Sequence, residues 1–133
     1  MKLYDSIGPN PRIVRMFMAE KDISIPKQSV DLRKGENREA EHLKRNPHGQ
    51  MPALELDDGS YLSEVTAICE YLEEKKPDPA MIGSTAEQRA ECRMWTRRVH
   101  IRHSARSSGV VPIIAGVGCF SSRYSQIAVI SAR

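Results

Sequence analysis

Two short stretches carry the side chains of greatest chemical use. The first, Ser6-Ile7-Gly8-Pro9-Asn10-Pro11, sets a hydroxyl and a carboxamide between an apolar strand and a helical pattern. The second, Ser63-Glu64-Val65, opens another helical pattern with a carboxylate. A helix N-terminus leaves backbone N–H groups unpaired and carries partial positive charge, so it suits a carboxylate. Read alone, Glu64 is a helix-start carboxylate serving that dipole, and Pro9-Asn10-Pro11 is a loop former. Cys69, Cys92 and Cys119 lie far apart, with no CxxC and no His/Cys cluster, so no metal set is expected. His42 and His48 have no visible partner and are expected at the surface.

The elements around these residues follow from periodicity and breakers. Residues 2–4 read as a short strand that ends at Gly8, Pro9 and Pro11. Pro11 suits the first turn of a helix, which runs to about Lys21 with Ile13, Met16 and Phe17 on one face and Val14 and Met18 beside it. Residues 26–32 contain a second strand, followed by a charged loop around Gly35. Residues 39–46 read as a short, poorly apolar helix stopped by Pro47. Residues 51–56 form a third strand, Asp58-Gly59 a hairpin, and Tyr61-Leu62 a return strand. Ser63 is expected to cap a helix with the stripe Val65, Ile68, Cys69 and Leu72, leaving Glu70, Glu73, Lys75 and Lys76 to water. Pro77 and Pro79 end it. The order βαβ, short α, ββα describes an α/β sheet with helices on both faces.

Ser84 with Glu87 has the spacing of a capping box. It opens a helix on which Cys92, Trp95 and Val99 share a face. Beyond residue 101 the pattern stops: 104–109 is loop-like, and the apolar run 110–120 is broken by Pro112, Gly116 and Gly118.

Of the 133 residues 40% are hydrophobic, enough for a core. No apolar run approaches the 18 or so residues of a membrane span, and residues 1–5 lack a signal-peptide pattern. The net charge of +3 conceals an asymmetry. Residues 1–91 hold all 17 acids and carry −4, whereas residues 92–133 hold seven Arg and no acid or Lys and carry +7. Such a tail could bind an anionic surface, but it has no interleaved aromatics and no nucleic-acid module, so neither nucleic acid nor membrane is expected as a partner.

Taken together, Met1-Lys2-Leu3-Tyr4, residues 12–21, Val30-Asp31-Leu32, residues 46–54 (NPHGQMPAL) and residues 62–72 (LSEVTAICEYL) resemble the glutathione S-transferase superfamily. The resemblance implies a thioredoxin-like βαβ-α-ββα domain over residues 1–78, a linker over 79–83, and the first helix of an all-helical second domain over 84–101. Residues 102–133 do not resemble the rest of that domain and read as an atypical, frame-shifted or rearranged basic tail.

The resemblance also implies a ligand and its contacts. Glutathione, with no metal, would be the co-substrate. Its γ-glutamyl group would meet Glu64 and the backbone N–H of Val65, where many relatives have a Ser. A cis bond before Pro52 would turn the Met51 backbone toward the cysteinyl unit, with Gln50 at the glycyl end. Asn37 and Arg38 align with positions that meet the glycine carboxylate. Thiol activation needs a donor near the end of the first strand; Asn10 stands first, Ser6 second, and Tyr4, better read as sheet packing, third.

The implied activity is attack of the glutathione thiolate on a small electrophile, in a cytoplasmic homodimer concerned with detoxification. A non-catalytic glutathione-binding or interaction module, and an inactive truncated transferase, remain as alternatives.

Overall fold

In the computed structural model, residues 1–106 can be described; the expectations for Cys119, the apolar run 110–120 and the rest of the tail lie outside them. The chain divides into two compact units, one of Met1–Lys75 and a second that starts at Lys76.

The first unit runs β1 (Lys2–Asp5), α1 (Pro9–Glu20), β2 (Lys27–Ser29), a single 3₁₀ turn (Glu36–Arg38), α2 (Ala40–Arg45), β3 (Ala53–Glu55), β4 (Tyr61–Ser63) and α3 (Val65–Lys75). The four strands form one sheet in the order β2-β1-β3-β4. β1 pairs parallel with β2, and β3 antiparallel with both β1 and β4. This is the thioredoxin-like α/β arrangement that the resemblance implies. The β3–β4 turn closes through Leu56 N–H donating to the Ser60 carbonyl at 2.9 Å, with Gly59 at φ 82, a conformation that favours glycine.

Strand alternation divides the core between the two faces of the sheet. Tyr4, Val30, Met51 and Ala53 cluster on one face, and the Arg45 guanidinium of α2 lies 4.4 Å from the Tyr4 ring centroid. Leu3 and Leu54 are paired in register and fully buried on the other, the face left to α1 and α3, which pack together. Ile68, Cys69 and Leu72 form the expected buried stripe of α3. Fully burying each large apolar side chain contributes about 1.5–3 kcal/mol.

The structure corrects the polar side of several elements. α1 starts at Pro9, so Pro11 lies in its first turn as expected, and it buries Pro11, Val14, Phe17 and Met18. Met16, expected on the inner face, is 42% exposed. Lys21, immediately after α1, continues the inward row seven residues beyond Val14 and is fully buried. Its Nζ donates to Glu73 Oε2 at 2.6 Å, so Glu73, expected in water, is also buried. His42 of α2, expected at the surface, is 2% exposed. In each case the packing geometry of a helix overrides the polarity of the residue that occupies its inward position.

In the second unit, α4 (Ala86–Arg106) extends five residues past the expected end at 101. Its capping box also sits one residue later than expected. The Thr85 hydroxyl oxygen accepts from Gln88 N–H at 3.3 Å, and the Gln88 carboxamide oxygen accepts from Thr85 N–H at 3.4 Å and from Ser84 N–H at 2.9 Å. Among the described residues no helix is long and apolar enough to cross a membrane.

Candidate functional site

The sheet register gathers the candidate residues at one end of the sheet. Asp5 pairs with Ser29 and Tyr4 with Ala53, while Ala53 pairs with Ser63. The chain segments that continue from these pairs are the β1–α1 turn, the Val30 segment, Met51-Pro52 and Glu64-Val65. Residues far apart in sequence therefore share one strand-end surface, which is how an open sheet with parallel strands presents a site.

At the start of β3 the Met51–Pro52 peptide is cis. A second cis peptide, Asp78–Pro79, lies in the other unit and is not foreseen from the sequence. The loop before Met51 is built on two asparagines. Buried Asn46 accepts from His48 N–H at 3.2 Å and donates from Nδ2 to the Gln50 carbonyl at 2.8 Å. Asn37 donates from Nδ2 to the Gly49 carbonyl at 2.7 Å, and Arg38 reaches the His48 carbonyl at 3.4 Å. Gly49, at φ 63, is required here: a Cβ would lie 2.9 Å from the Asn37 carbonyl oxygen. Asn37 and Arg38 thus stand against the loop that presents Gln50, whose side chain is exposed. Met51 is 7% exposed and packs in the core.

Beneath this loop lies an anomaly. Both ring nitrogens of His42 are buried without a hydrogen-bond partner. Burial, the largest influence, lowers the His42 pKa; the Gln50 backbone opposes it in part, and the charge of Arg45 adds a smaller lowering. The ring is held neutral.

Glu64 stands between β4 and α3. Its backbone has φ 73, in the left-handed region that non-glycine residues avoid. Its carbonyl accepts from Ile68 N–H at 3.0 Å, so Glu64, not Ser63, is the residue that caps α3; Ser63 is the last residue of β4. The Glu64 side chain is exposed and Val65 is half-buried. A strained, exposed acid at a helix start is the kind of backbone outlier that clusters at binding sites.

The three thiol-activating candidates sit in different surroundings. Tyr4 is 2% exposed and donates to Glu55 Oε2 at 2.6 Å. Burial first, and that hydrogen bond second, raise its pKa, so the phenol stays protonated and engaged. Ser6 is 7% exposed, and its hydroxyl donates to the Val30 carbonyl at 2.8 Å. Asn10 lies in the first turn of α1, where its exposed carboxamide stands beside its own backbone N–H; Pro9 and Pro11 have none, and Arg12 N–H donates to the Gly8 carbonyl at 3.3 Å.

An ion pair closes the turn that carries Asn10. Arg15 Nη1 donates to Asp5 Oδ1 at 2.6 Å and to the Ser6 carbonyl at 3.1 Å. Asp5 Oδ1 also accepts from Ser6 N–H at 2.9 Å. Sequence reasoning passes over Asp5 and Arg15, because an acid and a base ten residues apart carry no marker until strand, turn and helix bring them together.

The remaining chemistry is muted. Cys69 is buried, and its thiol is pushed up to about 12 by burial first and then by Glu73 and Glu70. It is no nucleophile in the folded state. Among the described residues no group of three or more His, Cys, Asp or Glu could hold a metal ion.

Comparison with known proteins agrees with this architecture. Residues 7–75 match the family model described as the glutathione S-transferase N-terminal domain. Glutathione S-transferase 2 of Saccharomyces cerevisiae is 36% identical over 104 residues, which are 76% of this chain and 45% of that protein. Maleylacetoacetate isomerase of Pseudomonas aeruginosa is 40% identical over 79 residues, 58% of this chain and 37% of that one. Among solved structures, a glutathione S-transferase domain-containing protein from Marinobacter aquaeolei superimposes with a TM-score of 0.72 at 37% identity, over 75% of this chain and 50% of that one. The chain spans about half the length of the relatives it matches. With a matching domain model over more than half its residues and a sheet of the matching topology, the chain belongs to the glutathione S-transferase family.

Proposed function

We propose that the unit Met1–Lys75 binds glutathione at the strand-end surface and promotes attack of its thiolate on a small electrophile. The observation that carries this reading is the coincidence of three features at that surface: the Met51-Pro52 segment leading into β3, an acid held at φ 73 before a helix start, and an exposed carboxamide in the first turn of another helix. In this reading Glu64 accepts from the ligand's amine while the Val65 N–H receives its γ-glutamyl carboxylate. The Met51 backbone pairs with the cysteinyl unit, and Gln50, Asn37 and Arg38 face the glycine carboxylate. Asn10, by its side-chain amide or its own backbone N–H, stabilises the thiolate. The Ser6 and Tyr4 hydroxyls already donate to Val30 and Glu55, which favours Asn10.

Engagement of those two hydroxyls, together with the missing side-chain hydroxyl at Val65, also favours a second reading, a module that binds glutathione without catalysis. A cytoplasmic homodimer with a role in detoxification belongs to the first reading.

Calorimetric titration with glutathione, followed by a conjugation assay, decides between them. Glu64→Ala should weaken glutathione binding by about 1.5–3 kcal/mol, the worth of a charged hydrogen bond. Unchanged affinity removes Glu64 from the site. In a catalytic protein Asn10→Ala should move the thiol midpoint of the pH–rate profile upward, and more than Ser6→Ala does. Binding without turnover leaves the second reading.

A further inference from the structure

We infer that Arg15 is a positioning residue for thiol activation: by bridging the Asp5 carboxylate and the Ser6 carbonyl it holds the start of α1, and Asn10 with it, at a fixed place beside the strand ends. The inference rests on the reading of Asn10 as the group next to the glutathione thiol.

The bridge is built from both sides of the turn. Asp5 is the last residue of β1 and Pro9 the first of α1, so only Ser6, Ile7 and Gly8 connect them. Two of those three have no anchoring side chain: Ile7 is 89% exposed, and Gly8 has none. The turn is instead tied at its first residue. The Ser6 hydroxyl donates to the Val30 carbonyl, the Ser6 N–H donates to Asp5, and the Ser6 carbonyl accepts from Arg15. Val30 N–H in turn donates to the Asp5 carbonyl at 2.8 Å. Arg15 is the one member of this set that lies within α1, and it reaches back to the strand.

The Arg15 side chain is 34% exposed and that of Asp5 17%. An ion pair so near solvent adds little to stability. What it adds is direction, because a planar guanidinium donating to two acceptors fixes its own helix relative to both. Activation by a positioned donor depends steeply on placement, and a displacement of about 1 Å can lower a rate by about a hundredfold. Without Arg15, the start of α1 keeps its apolar packing through Pro11 and Val14 but loses its hydrogen bonds to the end of β1, leaving the Ile-Gly segment as the link across the turn.

The test compares the whole chain with its Arg15→Met, Arg15→Lys and Asp5→Asn variants. Three readouts are taken: glutathione affinity by calorimetry, the pH midpoint of thiolate absorbance in the bound complex, and thermal melting. Arg15→Met should leave affinity within about twofold, since the γ-glutamyl and glycyl contacts lie elsewhere, and raise the thiolate midpoint by about one pH unit, a tenfold loss of thiolate at pH below it. Asp5→Asn should move it in the same direction, and the double variant no further than the larger single one, as expected for a shared network. Arg15→Lys keeps the charge but is shorter and lacks the guanidinium's fixed plane, so it holds the two acceptors less rigidly and should fall between; it decides the matter if Arg15→Met fails to fold.

A lowered melting temperature with an unmoved midpoint overturns the inference, as does additivity of the two single variants. Absence of glutathione binding by the unaltered chain overturns it together with the proposed function, and is distinguished by appearing before any substitution.

Discussion

Lys21→Met should be among the most damaging single substitutions in the first unit. The Lys21 side chain is fully buried and that of Glu73 is 10% exposed, and their 2.6 Å contact joins the end of α1 to the last turns of α3. The ammonium also lies 5.7 Å from the Phe17 ring centroid. Methionine keeps the length and apolar stem of lysine and deletes the charge, so the transfer and cavity contributions are small. What remains is a carboxylate deprived of its charged partner, and breaking a buried pair from one side costs about 3–5 kcal/mol. Because Glu73 retains slight access to water, the lower end, about 3 kcal/mol, is expected. In a unit of this size each kcal/mol moves the melting temperature by about 4–8 °C, so a fall of about 12–24 °C is expected. The double variant Lys21→Met/Glu73→Leu removes both charges and should recover to within about 1 kcal/mol of the unaltered chain. Urea denaturation of the four members of this cycle gives the coupling directly. A single variant within about 1 kcal/mol of the parent, or a double variant no better than the single, refutes the reasoning.

Cys69, its thiol pushed up to about 12, should resist alkylation at pH 8 in the folded protein and react once urea unfolds the chain; peptide mapping that finds native Cys69 labelled at the unfolded rate contradicts this. His42 has a folded-state pKa below its ordinary value, so at acid pH the unfolded chain binds a proton that the folded chain refuses. Its stabilising contribution is therefore complete above about pH 6.5 and declines as the pH falls below it, with a slope from this group of at most about 1.4 kcal/mol per pH unit. His42→Gln or His42→Leu should flatten the decline, and an unchanged slope in urea titrations between pH 4 and 7 removes His42 as its cause. Glu64→Gly relieves a backbone at φ 73 and should stabilise the fold by about 1 kcal/mol while weakening glutathione binding; tighter binding by the glycine variant sinks the assignment of Glu64.

Legibility in the sequence tracked how local each determinant is. The α3 stripe of Ile68, Cys69 and Leu72 repeats within eleven residues, and the Asp58-Gly59 hairpin within two, so both are readable without knowing the fold. The cis bond before Pro52 came from the family resemblance, since no local pattern distinguishes it from a trans proline at a strand start. The inward orientations of Lys21, Glu73 and His42 were not legible. Lys21 and Glu73 neutralise each other across 52 residues, and neither polarity pattern reveals the partner. The buried face of α1 was rotated because Met16 and Phe17 are equally apolar and only the position of the sheet chooses between them. The strand-end gathering of Asn10, Met51 and Glu64 was implied by resemblance, whereas the Asp5–Arg15 bridge beside it needed the turn geometry.

The central place of β1 in the sheet has a consequence for biosynthesis. β1 is the first strand of this sheet to leave the ribosome, yet it lies between β2 and β3, and its pairing with β3 joins Lys2 to Glu55. At about 5–20 residues per second, some 3–10 seconds pass between synthesis of the two strands. Through that interval the nascent chain can form α1 and the short parallel pair with β2, but one side of β1 stays open. Slowing translation between the emergence of β2 and that of β3 would prolong the exposure of an unpaired apolar strand, whereas the same delay once β4 has emerged would fall after the whole sheet is available. Synonymous codon choice in that first interval should therefore weigh more on soluble yield than any later in the chain.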